Sequence, residues 1–134
     1  MKKSIKNTII AAAVLIPTLT VAISASAYSK GYTFDMAAAV YGSTNFALEN
    51  KTTKTTANAN TYWASGDVKS TKSQYQVHLA RPLKTYVAPK MTANGFTYTE
   101  SFGTVTKNDY NVNVYKSSAG DQGDRVKGSG TINQ

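Results

Sequence analysis

The sequence predicts an all-β protein, a small antiparallel β-sandwich or barrel of about seven or eight strands. Thr, Tyr, Val and Asn are abundant and Leu is scarce, a composition that favours strands. Apolar and polar residues alternate in short runs, such as YQVHL at 75–79 and YNVNV at 110–114. Clusters of Gly, Asn, Asp and Ser separate these runs, which is typical of turns between strands.

A secretory signal peptide is predicted over residues 1–27. Three lysines begin the chain, an apolar run follows at 9–23, and Ala25 and Ala27 are the small residues that place cleavage before Tyr28. The alternative is an uncleaved membrane anchor, but the run is short for a bilayer span and contains a proline. We therefore expect one secreted, extracellular bacterial domain over residues 28–134.

The charge of this mature chain favours anionic partners. Twelve Lys and Arg stand against seven Asp and Glu, a net charge of +5. An anionic cell-wall polymer, a glycan or a membrane surface would suit it, although scattered lysines are also typical of a solubilising surface. We expect no nucleic-acid partner, because the chain is exported and shows no stripe of aromatic and basic residues. We expect no stable membrane insertion, because no second apolar run is present, and the sequence assigns no oligomeric state.

The N-terminal part of the domain is predicted as strands. Residues 33–41 fit a strand with alternate apolar residues on one face, and also a short helix capped at Thr33 and ended at Gly42. The strand is favoured because Asp35 keeps the alternation and a helix this short is marginal. The next segment, 51–60, is almost wholly Thr, Lys, Ala and Asn, and we expect an exposed edge strand or a long loop.

Two similar stretches suggest an internal repeat. TANANTY at 56–62 and TANGFTY at 92–98 share five of seven residues, and each is followed by Gly-x-Val and Tyr-x-Val. We interpret 56–79 and 92–114 as a duplicated hairpin, with chance similarity as the alternative. Asn94-Gly95 suits a two-residue type I′ turn, whereas the first copy has an alanine there, which resists positive φ.

The remaining segments complete the predicted sheets. Prolines at 82 and 89 restrict residues 83–88 to a short strand near an edge, and residues 125–132 form a final strand. The predicted inward side chains are Phe34, Met36, Val40, Phe46, Leu48, Val77, Leu79, Phe102, Val112 and Val114. Tyrosine rings are expected to complete a core that is thin in large aliphatic residues.

Familiar catalytic groupings are scarce, and we expect no enzyme, no cofactor and no metal site. The single histidine, His78, lies in an alternating run and is expected on a half-exposed strand face. A carboxylate pair would have to come from Asp35 and Glu100, which sequence alone cannot bring together. The loop at 120–124, GDQGD, has too few oxygen ligands for calcium. The absence of cysteine removes thiol chemistry and cysteine-zinc sites.

Aromatic residues beside Lys and Asn are the strongest candidates for binding. Tyr62 and Trp63 are adjacent, so in a strand one of the two rings points outward. The candidate binding residues are Tyr62, Trp63, Tyr98, Lys69, Lys72 and Lys107. The alternative for Trp63 is a core anchor of the sandwich.

The predicted function is that of a secreted non-enzymatic protein that binds an extracellular or cell-envelope partner. A small cationic antibacterial protein, bacteriocin-like or membrane-active, is the alternative.

Overall fold

Two antiparallel sheets pack face to face as a β-sandwich, which confirms the predicted fold class. The computed structural model describes residues 27–117 and 123–134. Its strands are β1 Ser29–Met36, β2 Ala39–Tyr41, β3 Phe46–Leu48, β4 Thr52–Tyr62, β5 Gln74–Arg81, β6 Lys84–Val87, β7 Met91–Thr92, β8 Asn94–Thr104, β9 Asn108–Lys116 and β10 Arg125–Asn133. The predicted signal peptide, except its last residue, and most of the GDQGD loop lie outside the described residues.

The first sheet has the strand order β1-β10-β4-β8, so β4 lies in its interior. The prediction that residues 51–60 form an exposed edge strand or a loop is therefore wrong. Its polar composition was misleading because small residues fill the inner face of β4, and the threonine hydroxyls there are hydrogen-bonded. Thr55 Oγ1 lies 2.6 Å from the Tyr32 hydroxyl, and Thr61 Oγ1 donates to the Ala93 carbonyl at 2.9 Å. The buried inner-face residues of β4 are Thr53, Thr55, Ala57, Ala59 and Thr61.

Two glycines of β10, Gly128 and Gly130, also leave the inner face of the first sheet without side chains at their positions. A Cβ atom at Gly130 would lie 2.5 Å from the Tyr32 hydroxyl oxygen, so a side chain there would displace the Tyr32 ring. Gly128, two residues earlier, is similarly crowded by the backbone and side chain of Ala59. The absence of a side chain at Gly130 lets the Tyr32 ring lie against the sheet, and its absence at Gly128 leaves room for the neighbouring strand β4.

The second sheet supplies the large side chains of the core. Its order is β2-β9-β5-β6, with β3 also pairing with β9 and β7 with β5. Val77 lies opposite Val114, and Leu79 opposite Val112. Nine of the ten predicted inward residues are buried, and Val40 is half-buried. The sequence pattern therefore identified the core correctly.

Residues 33–41 are extended, as predicted, and not helical, but they form parts of two strands, β1 and β2. The chain bends at residues 37–38, leaving β1 in the first sheet and placing β2 in the second. Phe34 and Met36 are buried as expected, while Ala38 lies at the bend and is exposed. One predicted strand thus connects the two layers of the sandwich.

The two similar segments are arches rather than hairpins. In each segment the first strand lies in the first sheet and the second strand lies in the second sheet, so the two strands do not pair. The connection in the first segment, residues 63–73, is called the long arch, and the connection at residues 105–107 the short arch. β4 instead pairs with β8, and β5 with β9, so the two segments lie side by side.

The matched TANxxTY residues do not occupy equivalent positions. Thr61 faces the core and Tyr62 faces outward, whereas Tyr98 lies opposite the inward Ala57. Asn94 and Gly95 form a β-bulge opposite β4 rather than a turn, with φ of 87° at Gly95. The Tyr-x-Val ends do correspond, because Tyr75 and Tyr110 are both buried near the start of their strands.

β6 is the short edge strand that the prolines predicted. A two-residue turn, Pro82-Leu83, joins it to β5, with Arg81 opposite Lys84. Leu83 has a φ of 65° and a fully exposed side chain. A leucine in this region of backbone space is strained.

Candidate binding site at the long arch

The long arch begins with a tight turn that holds Trp63 at the surface. The Trp63 N–H donates to the Asp67 carbonyl at 2.9 Å, and the Gly66 N–H donates to the Trp63 carbonyl at 2.9 Å. Gly66 has a φ of 99°, which a residue with a side chain rarely adopts. The Ser65 hydroxyl bonds to the Asp67 carboxylate at 3.0 Å. The backbone of Trp63 is thus held by hydrogen bonds at both its N–H and its carbonyl.

A buried ion pair lies beneath the Trp63 indole. The Lys69 ammonium is 2.6 Å from the Asp124 carboxylate, and the side chains are only 4% and 3% exposed. The same ammonium lies 4.1 Å from the centroid of the Trp63 ring. The backbone N–H of Lys69 donates to the Thr61 carbonyl at 2.8 Å, and this hydrogen bond joins the arch to β4. Lys69 therefore connects three segments: its own arch, β4 through its backbone N–H, and the residue preceding β10 through its ammonium.

Trp63 remains 45% exposed above this support. It is not one of the residues of the buried core, so it is not the core anchor that was the alternative. A cation under one part of an indole stabilises the ring's position through its quadrupole. The exposed part of the ring is available to a ligand.

Cations surround Tyr62 on the outer face of the first sheet. Tyr62 lies opposite Arg125, and the Lys127 ammonium is 5.5 Å from the centroid of its ring. Asp35 holds both cations in place, at 2.8 Å from an Arg125 nitrogen and 3.8 Å from the Lys127 ammonium. Two positive charges against one negative charge leave this group cationic.

Lys72, from the far part of the long arch, extends the cationic surface. Its ammonium donates to the Asn60 side-chain carbonyl at 2.8 Å and has no carboxylate within 4 Å among the described residues. We call Tyr62, Trp63, Lys72, Arg125 and Lys127 the aromatic–cationic patch.

Rows of uncharged polar side chains continue from the patch along the outer face of the first sheet. Thr56 and Thr99 share a hydrogen bond of 2.9 Å across β4 and β8. Asn58 donates to the Gly95 carbonyl at 2.5 Å and lies opposite Ser129 on the other side. Such hydroxyl and amide groups are suited to hydrogen bonding with sugar hydroxyls.

Four of the six candidate residues come together at the long arch, and two lie elsewhere. Tyr62, Trp63 and Lys72 are in the patch, while Lys69 is beneath it and has its charge buried against Asp124. Tyr98 points to the inner side of the sheet, where its hydroxyl accepts a bond from Asn94 at 2.8 Å. Lys107 is at the opposite end of the sandwich, 3.2 Å from Glu49.

Sequence reasoning missed Arg125, Lys127 and Asp124. The alternation in RVKGSGT does place Arg125 and Lys127 on one strand face. No local sequence pattern predicts that β10 pairs with β4, and this pairing is what brings Arg125 and Lys127 beside Tyr62.

The groups considered for catalysis are not assembled into a site. The His78 ring lies 4.4 Å from the Tyr115 ring, and partial burial lowers the pKa of its imidazole. Asp35 and Glu100 lie on strands at opposite edges of the first sheet, with two strands between them. Within residues 27–117 and 123–134, no three His, Asp or Glu side chains are grouped closely enough to hold a metal ion.

No known protein family matches the chain, and no curated protein resembles it closely enough to count as a match. In the part of the chain that the structure describes, no helix has the length and apolar character needed to cross a membrane.

Proposed function

We propose that this is an exported, non-enzymatic protein that binds an anionic glycan of the bacterial cell envelope through the aromatic–cationic patch. The ligand would combine sugar rings with phosphate or carboxylate groups. Sugar faces would stack on Trp63, the anionic groups would lie near Lys72 and the Arg125–Lys127 pair, and sugar hydroxyls would bond to the polar rows of the first sheet.

The observation that carries the proposal is the half-exposed Trp63 indole on its buried support. An indole that served only to stabilise the fold would bury more of its surface. Here the chain instead uses a buried ion pair to hold the ring at the surface, and burying charges is costly unless they are well paired. Rigid aromatic side chains at a surface are characteristic of binding sites.

A sedimentation assay tests the proposal with two wall preparations. One is isolated peptidoglycan with its anionic polymer attached, and the other is the same material after acid has removed the polymer. We expect the mature protein to be retained by the first at low salt and released near 1 M salt, where the Debye length falls to about 3 Å. Retention on neither preparation would contradict the proposal.

Matched variants assign the binding to the patch. Trp63→Ala should weaken retention at least tenfold, whereas Tyr41→Ala, which removes an exposed aromatic ring from the second sheet, should not. Lys72→Glu should weaken it more than Lys90→Glu, an identical charge change on an exposed residue before β7. Equal effects in either pair would place the binding elsewhere.

A second candidate function, action at a membrane surface, is favoured by the β5–β6 turn. Its strained, fully exposed Leu83 projects between Arg81 and Lys84, an apolar tip with cationic neighbours. Such a tip suits the boundary between lipid headgroups and acyl chains. Dye release from anionic vesicles that is lost in Leu83→Gly and kept in Val87→Thr would favour this function; no release at micromolar protein would remove it.

A further inference from the structure

The outer face of the second sheet carries almost no charge, although the mature domain has twelve Lys and Arg against seven Asp and Glu. Alternate side chains of β2, β5, β6 and β9 point outward there. Among these outward strand positions Asp109 alone has a formal charge, and the others are small, amide, hydroxyl, aromatic or aliphatic residues. Two copies of this cationic chain can therefore meet through this face with little local repulsion.

One row of residues across this face has an aromatic ring at one end and an aliphatic side chain at the other. Tyr41 on β2 lies opposite Asn113 on β9. Asn113 lies opposite His78 on β5, and His78 lies opposite Val87 on β6. Tyr41 is 71% exposed and Val87 is 47% exposed, so the apolar ends of the row are left uncovered.

Tyr115 joins the row into an aromatic cluster. Its ring centroid lies 4.4 Å from that of His78 and 5.7 Å from that of Tyr41. The planes of the Tyr41 and Tyr115 rings are nearly perpendicular, at 89°. Rings at right angles offer no common plane on which a sugar chain could stack, whereas side chains of another protein can fit between them. The cluster therefore suits a protein partner better than a glycan.

We propose that two copies of this chain associate weakly through the outer faces of their second sheets, about a twofold axis parallel to the strands and midway between β9 and β5. Such an interface uses the same surface of both copies, so that surface must complement itself. The axis places β2 of one copy over β6 of the other, so Tyr41 packs on Val87 of the second copy. It places β9 over β5, so the Asn113 amide faces the His78 imidazole of the second copy.

The single charged position of the face also has a complement about this axis. Asp109 lies two residues before Asn111, which pairs with Ala80 near the end of β5. The axis therefore places Asp109 over the β5–β6 turn of the second copy, where Arg81 and Lys84 lie opposite each other. Opposite charges at the rim of an interface favour one orientation. A twofold axis along the row would instead set each residue against its own equivalent and give none of these contacts.

The size of the face limits the affinity. Four strands about 4.8 Å apart, with the eight residues of β5 rising about 3.3 Å each, cover roughly 500 Å² in projection. A standard interface buries about 800 Å² on each partner, and weak, transient complexes bury less. We therefore expect a dimer with a Kd of roughly 0.1–1 mM.

Sedimentation equilibrium of the mature protein from about 20 µM to about 2 mM tests this proposal. We expect the average mass to rise from that of the monomer towards that of the dimer. Salt at 1 M should strengthen the association, because it screens the net repulsion between two cationic chains. A protein that is monomeric at 2 mM, or whose association is weakened by salt, would overturn the proposal.

Matched variants locate the interface. Tyr41→Glu and Val87→Glu should each leave the chain monomeric at 2 mM, with an unchanged circular dichroism spectrum. The controls make the same charge change at equally exposed apolar residues elsewhere: Phe96→Glu on β8, 69% exposed, and Val68→Glu in the long arch, 57% exposed. Association that survives both substitutions on the second sheet, or is lost equally in the controls, would contradict the assignment.

A charge pair tests the axis itself. Tyr41 and Val87 lie on strands at opposite ends of the β2-β9-β5-β6 order, so they do not meet within one chain. The double variant Tyr41→Glu with Val87→Arg should therefore recover the dimer that Tyr41→Glu and Val87→Arg each lose alone. A double variant that stays monomeric at 2 mM would show that these two positions do not face each other.

Nuclear magnetic resonance distinguishes this face from the aromatic–cationic patch. The His78 and Tyr115 signals should shift with protein concentration, while the Trp63 indole N–H signal stays constant. Shifts confined to Trp63 would overturn the proposal, as would movement of the His78 and Tyr115 signals when a neutral oligosaccharide is added to the dilute monomer. Tyr62, Arg125 and Lys127 lie on the outer face of the other sheet. The dimer thus leaves the patch free, and since high salt should release the glycan but strengthen the dimer, failure of one proposal is separate from failure of the other.

Discussion

The long and short arches make the same crossing from the first sheet to the second, yet one uses eleven residues and the other three. The short arch shows that three residues are enough, and its first residue, Val105, is buried. The additional length of the long arch is therefore not required to connect the sheets. It is the part of the molecule that carries Trp63, Lys69 and Lys72, and loops on a rigid scaffold commonly carry function.

Each arch also has a Lys–carboxylate pair, and the two pairs differ in burial. Lys69–Asp124 is buried beneath Trp63, whereas Lys107–Glu49 is exposed, with side chains 73% and 56% accessible. Desolvated pairs matter to stability mainly when one partner is lost, and exposed pairs contribute little. The difference indicates that the stability of the long arch depends on its ion pair more than the stability of the short arch does.

Breaking the two ion pairs should give the largest contrast. Asp124→Ala leaves the Lys69 charge buried without its carboxylate, so the free energy of unfolding should fall by about 3–5 kcal/mol. Glu49→Ala should lower it by less than about 1 kcal/mol. Urea titrations followed by circular dichroism measure both, and equal losses would remove the distinction between the arches. Replacing both partners, Lys69→Met with Asp124→Leu, should restore most of the loss.

Alkaline pH should destabilise the layer of tyrosines between the sheets. Burial raises the pKa of Tyr32 to about 12, against the opposing hydrogen bond from Thr55. Burial also raises the pKa of Tyr75, with further contributions from Tyr32 and Tyr98. Because the folded state holds these protons more tightly, the stabilisation is complete below pH 10 and is lost as pH rises through 12.

The expected loss from Tyr32 alone is about 2 kcal/mol between pH 10 and pH 12. Urea titrations at intervals of half a pH unit measure it. Stability that is constant across this range would show that these hydroxyls titrate as if they were exposed.

Tyr75 and Tyr110, the corresponding tyrosines after the two arches, should respond oppositely to loss of their hydroxyls. The Tyr110 hydroxyl donates to the Thr106 carbonyl at 2.6 Å, so Tyr110→Phe should cost about 1 kcal/mol. The buried Tyr75 hydroxyl has no hydrogen-bond partner among the described residues, so Tyr75→Phe should be neutral or stabilising by about 1 kcal/mol. Destabilisation by both substitutions would contradict the difference.

The smallest expected effect is at the strained turn. Leu83→Gly relieves an unfavourable φ but increases the entropy of the unfolded chain, so we expect a net gain of between about 0 and 1 kcal/mol. The midpoint of thermal unfolding measures it. A loss of stability would mean that the exposed Leu83 side chain makes a stabilising contact.

Much of the fold could be predicted from residue alternation, and the pairing of strands could not. Alternation identified Val77, Leu79, Val112 and Val114 as inward because it reports which face of a strand is buried. It does not report which sheet a strand belongs to, so it predicts hairpins where the structure has arches. The sequence of β4 predicts an edge strand because its inner face uses threonine and alanine in place of large apolar residues.

The candidate site was predictable only where its residues are close in sequence. Tyr62 and Trp63 could be identified as adjacent rings, one of which had to point outward. The burial of Lys69 depends on Asp124, which is 55 residues away, and the position of Lys127 depends on strand pairing. Long-range contacts of this kind leave no periodic signal in the sequence.

The fluorescence of Trp63, the only tryptophan of the chain, tests the central claim most directly. Soluble anionic wall polymer is titrated into the mature protein while emission and quenching by acrylamide are recorded. We predict a shift of the emission to shorter wavelength and protection from acrylamide, both lost in 1 M salt. Polymer that binds the protein while Trp63 emission and quenching stay unchanged would contradict the account.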